Sequence, residues 1–289
     1  MASSTASVPV PRVGRYGRRP APEIALWISM ALLAVVVLVS LLANLIAPYD
    51  PIAQDLSNTF AAPSAAHWLG TDDLGRDVLS RMIFGTRVSM LASLLAVGIA
   101  LAIGLPIGLL SGYLGGWVDT ALMRVIDTLL AFPAIILAIG ITATLGPSIL
   151  NAMLAVGIIL SPSIARLIRA QVLSVKEETY IEAARSFGAR GFVRMIVVHV
   201  IPNSIQPVLV QTSILMGSAL IAEATLSFLG LGVQPPDPSW GSILSRAYTF
   251  NSLAPFQIIV PGISIAVCVF AFTTLGDKVQ ERLDPRRRK

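Results

Sequence analysis

Residues 88–110 read VSMLASLLAVGIALAIGLPIGLL, and no charged side chain interrupts the chain from Val88 to Val118. At 1.5 Å rise per residue, a helix of that length covers roughly 34 Å, enough to cross the ~30 Å hydrocarbon layer of a bilayer. The stretch has no polar face to turn toward water, and a helix satisfies its own backbone hydrogen bonds, as lipid demands. The rest of the sequence repeats the pattern. Five more apolar runs lie at Ile24–Ala47, Trp117–Leu145, Ser148–Ile168, Ser204–Phe228 and Phe256–Leu275. Of the 289 residues 55% are apolar and 13% charged, with a mean hydropathy of +0.77, too little polar surface for a soluble domain. The expected fold is an all-α polytopic membrane protein with about six transmembrane helices.

The basic residues set the expected orientation. Short loops rich in Lys and Arg stay cytoplasmic. With the amino terminus inside, all 21 basic residues fall on the inner side except Arg76, Arg81, Arg87 and Arg246. The domain plan is then a disordered basic cytoplasmic tail over 1–22, a transmembrane domain over 23–280 and a basic cytoplasmic tail over 281–289. Outer loops are expected at 48–87 and 229–255, and a cytoplasmic loop at 170–202. Arg18 and Arg19 before the first run have the look of a twin-arginine export signal, but that run is too long for a cleavable core and five more follow.

Small residues and prolines describe how the helices pack. Gly104, Gly108, Gly112 and Gly116 recur every fourth residue and put a backbone-exposing stripe on one face of the second span and its inner end. Pro106, Pro133, Pro162, Pro207 and Pro261 each remove a helix hydrogen bond in or near spans two to six, either as static kinks or as points of bending. Arg124 and Asp127 stand three apart on the third span and are expected to form a structural pair near the inner interface. Glu223, near the outer end of the fifth span, faces a wet vestibule or another subunit.

Catalytic readings find little support. His67 and His199 fall on opposite sides of the membrane, which separates any Ser-His constellation, and neither G-x-S-x-G nor H-E-x-x-H occurs. The lone Cys268 excludes an intramolecular disulfide and a cysteine-based metal site. No G-x-x-x-x-G-K-[ST] loop is present, so ATP and Mg, where transport uses them, are expected on other subunits, with no cofactor in this chain and no nucleic acid as partner.

The cytoplasmic loop is the most specific stretch. Its reading from Ser174 to Asn203 is a short helix, a glycine stop and a second helix ended by Pro202. Thr179 and Glu182 have capping-box spacing, and Ser174 with Glu177 offers a second start. Tyr180, Ala184 and Phe187 share a face, Ala183 and Ala184 keep it low, and Gly188 suits a left-handed helix cap. Glu182-Ala183-Ala184, then Gly188, with Ile201-Pro202 downstream, resembles the EAA loop of ABC-importer permeases. The interval from Gly188 to Pro202 is one position longer than that family usually carries.

Four more stretches resemble the C-type permease subunit of dipeptide and oligopeptide importers: His67–Arg81, Asp127–Pro133, Glu223–Gly241 and Leu283–Arg286. The resemblance implies the type I ABC importer permease fold in the cytoplasmic (inner) membrane, with both termini cytoplasmic. It also implies a coupling helix whose Tyr180, Glu182, Ala183, Ala184, Phe187 and Gly188 seat in an ATPase cleft. The implied partners are a homologous B-type permease, two ABC ATPases and an external substrate-binding protein. Dipeptides or oligopeptides are the implied cargo, and importers of nickel, glutathione and some sugars share the branch.

A zwitterionic cargo needs a wet or hydrogen-bonding path, since stripping its charged ends of water costs several kcal/mol. By polarity the candidates are Ser161 and Ser163 on the fourth span and Gln206, Gln211, Thr212 and Ser213 on the fifth, with Glu223 above them. In the first outer loop, Asp72, Asp73, Arg76, Asp77 and Arg81 alternate with apolar residues. They belong either to an outer scaffold that docks the binding protein or to a solvated amphipathic helix on the membrane.

Overall fold

The computed structural model of the protein describes residues 23–181 and 196–283. The two tails and residues 182–195, which include Glu182, Ala183, Ala184, Phe187 and Gly188, lie outside the described residues, as does most of the expected coupling helix. Among the described residues there is no strand, only an isolated bridge between Thr71 and Asp77. The helices are α1 (Glu23–Ile46), α2 (Val78–Leu114), α3 (Gly116–Ala131), α4 (Ala134–Leu145) and α5 (Ile149–Lys176), then α6 (Ile201–Phe228), α7 (Trp240–Thr249) and α8 (Ile259–Leu283). A π-helical turn over Ile196–Val200 leads into α6, and a 3-10 turn over Pro255–Ile258 leads into α8.

Five of these helices are long and apolar enough to cross a membrane, and α3 with α4 forms a sixth candidate bent by 94°. The bend falls at Phe132–Pro133, where proline ends α3 and starts α4. Its neighbours fix what the broken pair does. The carboxylate of Asp119, in the first turn of α3, lies 2.6 Å from Arg169 near the C-terminal end of α5. The carbonyls of Leu145 and Gly146, after α4, each accept from the Asn151 amide at the start of α5 at 3.0 Å. Asn151 and Arg169 are separated along α5 by roughly 27 Å of helix, so the bent pair carries the chain across the bilayer once.

This crossing lets α2 and α5 run parallel, joined along the glycine stripe. A Cβ on Gly104 would stand 2.7 Å from Ile164 Cβ, one on Gly108 2.7 Å from Ile168 Cβ, and one on Gly112 2.8 Å from Val172 Cβ. The same device runs in reverse at Gly157, where a Cβ would meet Ile99 Cβ at 2.6 Å. Each glycine of one helix receives a β-branched residue of the other, and the two backbones approach as closely as small-residue packing permits. Gly116 departs from the expected stripe: the helix breaks at Gly115, and Gly116 opens α3 with no atom near the place its Cβ would take. α6 packs on α2, α5 and α8, and α1 packs on α2 and α8. Much of α1 faces outward as bare hydrocarbon, with Leu41 72% and Leu45 82% exposed, the surface lipid covers.

The second span starts earlier than its apolar run. Asp77 caps α2 by accepting from the Ser80 amide at 2.7 Å, so residues 78–87 are helix rather than outer loop. The second outer segment also contains a helix, α7, opened by a capping box between Ser239 and Ser242. The two outer segments fold against one another. The Trp240 amide donates to Ser89 Oγ at 3.1 Å, Trp240 Nε1 to the Met82 carbonyl at 3.2 Å, and Gln257 Nε2 to the Thr71 carbonyl at 2.6 Å.

Candidate coupling and translocation site

The loop between α5 and α6 stands on two buried feet. Ile181, the last described residue before it, is 1% exposed, and Val200 after it is fully buried. Both belong to the core cluster that contains Ile164, Ile168 and Val172, the residues that fill the glycine stripe. Tyr180 is exposed beside the first foot. Of the six residues expected to seat in an ATPase, it alone falls among the described residues.

Polar contacts at the same end clamp three helices. Arg169 Nε and Nη2 each donate to Asp119 at 2.6 Å, a paired-fork geometry, and Ser111 Oγ of α2 donates to the same carboxylate. Lys176, the last residue of α5, donates to the Gly112 carbonyl at 3.2 Å and the Tyr113 carbonyl at 2.9 Å, and its ammonium stands 5.6 Å from the Tyr113 ring centroid. These are carbonyls that the end of α2 cannot satisfy within the helix. The α2 end, the α3 start and the α5 end are thereby one block at the root of the loop. Sequence reading missed this clamp. Its one signal was that Asp119 and Arg169 are charges at the ends of apolar runs, with nothing local to pair them.

The expected pair of Arg124 and Asp127 does not form. Asp127 instead accepts from Arg166 Nη2 of α5 at 2.6 Å, with both side chains more than half exposed. The spacing of three on α3 permits a local pair, but α3 crosses α5 closely enough for a longer-range partner to take the carboxylate.

The expected path residues divide. Ser161 is fully buried, donates to the Ile158 carbonyl at 2.7 Å, and presents its own carbonyl to Gly104 across the seam. Glu223 is also fully buried and accepts from Ser227 Oγ at 2.8 Å. Neither reaches a surface a solute could touch, and this corrects the expectation that they line the path: Ser161 belongs to helix packing, and Glu223 to the junction of α6 with the outer cap. Ser163 is exposed on α5, and Gln206, Gln211 and Thr212 are half-buried on α6. An apolar groove of about 310 Å3 runs between α4, α5 and α6, past Ile135, Ile159 and Ile221.

At the other end, the charged cluster of the first outer segment is buried and paired. This removes the solvated amphipathic helix. Asp72 accepts from the Leu74 amide at 2.9 Å, the Arg76 amide at 3.0 Å and Arg76 Nε at 2.8 Å, and Arg81 Nε stands 3.5 Å from it. Arg81 Nη1 also donates to the Pro51 carbonyl at 2.9 Å. Asp77 takes Ser80 Oγ at 2.7 Å and His67 Nδ1 at 2.9 Å, and His67 packs on Tyr49 with ring centroids 4.8 Å apart.

A polytopic bundle with two parallel helices locked by a glycine seam, a broken span returning the chain between them, and a connection from α5 to α6 whose two ends are rooted in that seam belongs to the class of membrane permeases. The chain belongs to the family described as binding-protein-dependent transport system inner membrane component, which matches residues 104–289, and residues 25–63 match the N-terminal TM domain of oligopeptide transport permease C. It is a non-catalytic permease subunit of an ABC importer. The dipeptide transport system permease protein DppC of Alkalihalophilus pseudofirmus is 40% identical over 259 residues, 90% of this chain and 85% of that one. The glutathione transport system permease protein GsiD of Pectobacterium atrosepticum is 42% identical, over 84% of this chain and 81% of its own, and that of Shigella flexneri 43%, over 86% and 82%. The fold is that of the type I ABC importer permeases. A chain of the MetNI methionine ABC transporter in an inward-facing conformation superposes with a TM-score of 0.57 at 18% identity, covering 71% of this chain and 97% of that one.

Proposed function

We propose that this chain forms half of the translocation path of a peptide importer, paired with a homologous B-type permease and driven by two ABC ATPases that bind ATP and Mg. An external substrate-binding protein delivers the cargo. Both termini and the loop around Glu182–Gly188 lie on the cytoplasmic side, in accord with the strong bias of basic residues to that face. The observation that carries the coupling role is the burial of both loop feet, Ile181 and Val200, in the core cluster that fills the α2–α5 seam. Movement imposed on the loop by an ATPase reaches α2, α5 and α6 together, because a closely packed seam transmits displacement rather than absorbing it.

The cargo reading is short peptides. The relatives named for dipeptide and for glutathione transport match this chain about equally, and glutathione is itself a tripeptide. Ser163, Gln206, Gln211 and Thr212 are the proposed polar contacts along the path. The test is uptake by proteoliposomes holding the complete complex, supplied with labelled dipeptide, glutathione or nickel. ATP-dependent accumulation of dipeptide or glutathione is expected, and uptake of nickel alone would refute the cargo. Ala184→Trp tests coupling: the complex should lose transport while the chain still inserts, and wild-type transport by that variant would remove the loop from the mechanism.

A further inference from the structure

Among the described residues, Glu223 is the one buried acid inside a candidate span, and the translocation path leaves it without a role. It is fully buried on α6, and every side chain that hydrogen-bonds to it is a serine. Ser227 Oγ, one turn on, donates to it at 2.8 Å. Ser89 of α2 and Ser239, which caps α7, act on the same carboxyl from farther off, and its Oε2 is closed to solvent with no hydrogen bond of ordinary geometry. Each of these three hydroxyl oxygens also accepts one backbone amide of the 229–255 segment. Val233 donates to Ser227 Oγ at 3.2 Å, Trp240 to Ser89 Oγ at 3.1 Å and Ser242 to Ser239 Oγ at 3.1 Å. A hydroxyl whose lone pair takes an amide sends its hydrogen elsewhere, and the carboxyl is the acceptor that all three share. One carboxyl thus aims three hydroxyls, from α2, α6 and the start of α7, at three amides of residues 233–242. The packing is tight at the same point: a Cβ on Gly241 would stand 2.6 Å from Ala224 Cα and 2.8 Å from Ser227 Cβ.

We propose that Glu223 is a positioning residue, the joint at which α6 carries the 229–255 segment with it during transport. The proposal rests on the ATPase-driven reading above. α6 starts at the buried foot Val200, and Glu223 lies roughly 34 Å along the same helix, so a single element links the α5–α6 loop to the serine hub. Bonds between hydroxyls and a carboxyl are individually modest, but these three are not independent, because all of them lose their aim when the shared acceptor goes.

The experiment is hydrogen exchange read by mass spectrometry on the complete complex in lipid nanodiscs, with the ATPases empty and with them trapped by ATP and vanadate. In the wild type, exchange over residues 232–243 should change on trapping. Glu223→Gln keeps the volume but turns an amide donor toward hydroxyls that need an acceptor. It should raise exchange over 232–243 by about three- to tenfold and remove the dependence on nucleotide, while residues 92–112 of the α2–α5 seam exchange as in the wild type. Ser239→Ala removes only the hydroxyl at the start of α7, should also uncouple the segment from nucleotide, and carries the test alone where Glu223→Gln does not assemble. A segment that still follows nucleotide as in the wild type, in either variant, would overturn the proposal. So would faster exchange spread equally over 92–112, which would make Glu223 a residue of global stability. A wild-type complex that transports peptide on ATP while 232–243 stays unchanged would remove the joint and leave the importer reading standing. Absence of ATP-dependent transport in the wild type would take down that reading and the joint with it.

Discussion

At Gly108 a single added carbon would stand 2.5 Å from the Ala165 carbonyl and 2.7 Å from Ile168 Cβ; at Asp72 the space is already filled by two arginines and two amides. The α2–α5 seam and the outer cap are both dense and both buried, yet they hold together by opposite means. The seam excludes everything but hydrocarbon and backbone, and its tolerance is set by volume. The cap lies where water is near, and a ring of ion pairs and carbonyl contacts sets its tolerance by charge. A rigid seam suits a part that must move as one body when the loop is pushed.

The largest effect is expected from breaking the charge rule in the cap. Asp72→Ala leaves Arg76 and Arg81 buried without their shared carboxylate, and removing one partner of a buried pair costs about 3–5 kcal/mol. Thermal unfolding of the purified chain in detergent should shift by many degrees, whereas Asp72→Ala combined with Arg76→Met should recover part of the loss. An equal loss in the single and double variants would mean that the cap is held by packing after all.

Volume comes next. Gly108→Val inserts a branched side chain against Ile168 and the Ala165 carbonyl, and overpacking of that kind costs about 1–3 kcal/mol. Gly116→Val, one step beyond the stripe where nothing stands near, is the matched control for crowding, although its φ of +54° adds its own strain. Gly98→Val is the cleaner one, since it has open space and no positive φ. Melting temperatures should fall for Gly108→Val and stay near wild type for Gly98→Val, and equal behaviour would dissolve the seam as a tolerance limit.

The seam was largely legible before any coordinates. A glycine every fourth residue in an apolar run has one common physical meaning, and Gly104, Gly108 and Gly112 carry it; Gly116 does not, because Gly115 ends the helix first. Pro133 marked a break in the third span, but its 94° angle depends on where α5 holds the two halves. The sequence leaves the cap open between a scaffold and a solvated helix, for the complementary reason. Alternation of Asp and Arg with apolar residues has the signature of a surface, and only residues 229–258 folding over them buries them. Arg124 and Asp127 failed likewise, since a spacing of three says what can pair but not that Arg166 is closer. Local rules see one helix at a time, whereas ion pairs in a bundle are settled between helices.

A smaller effect tests the clamp where the seam meets the loop. Asp119→Asn removes a two-pronged contact whose side chains are a fifth and a third exposed, so solvent screening discounts it to about 1 kcal/mol. Asp127→Asn, whose pair is more than half exposed, should cost roughly 0–0.5 kcal/mol and serve as the baseline. Melting curves of the two variants at low and high salt separate them. A loss in Asp127→Asn as large as in Asp119→Asn would make the clamp one more surface pair.

The smallest expected stability change has the most to say about mechanism. Lys176 ends α5 and donates to the carbonyls of Gly112 and Tyr113, which end α2, so it ties the last turn of the seam to the first residue of the loop. Its replacement by methionine keeps the aliphatic stem and removes only the ammonium, a helix-end cation worth about 0.3–1 kcal/mol. If the seam is rigid through volume alone, that loss is silent in transport as well as in melting. If the clamp is the joint through which the loop moves the seam, the two readouts part: Lys176→Met should melt within a degree or two of wild type, yet its complex should hydrolyse ATP with a weakened response to loaded binding protein. Lys176→Arg should restore the response in part, since it returns a cation within reach of the same carbonyls in a different geometry. Full coupling in Lys176→Met would put the transmission in the buried feet at Ile181 and Val200, where hydrocarbon packing does the work and no single polar contact is needed.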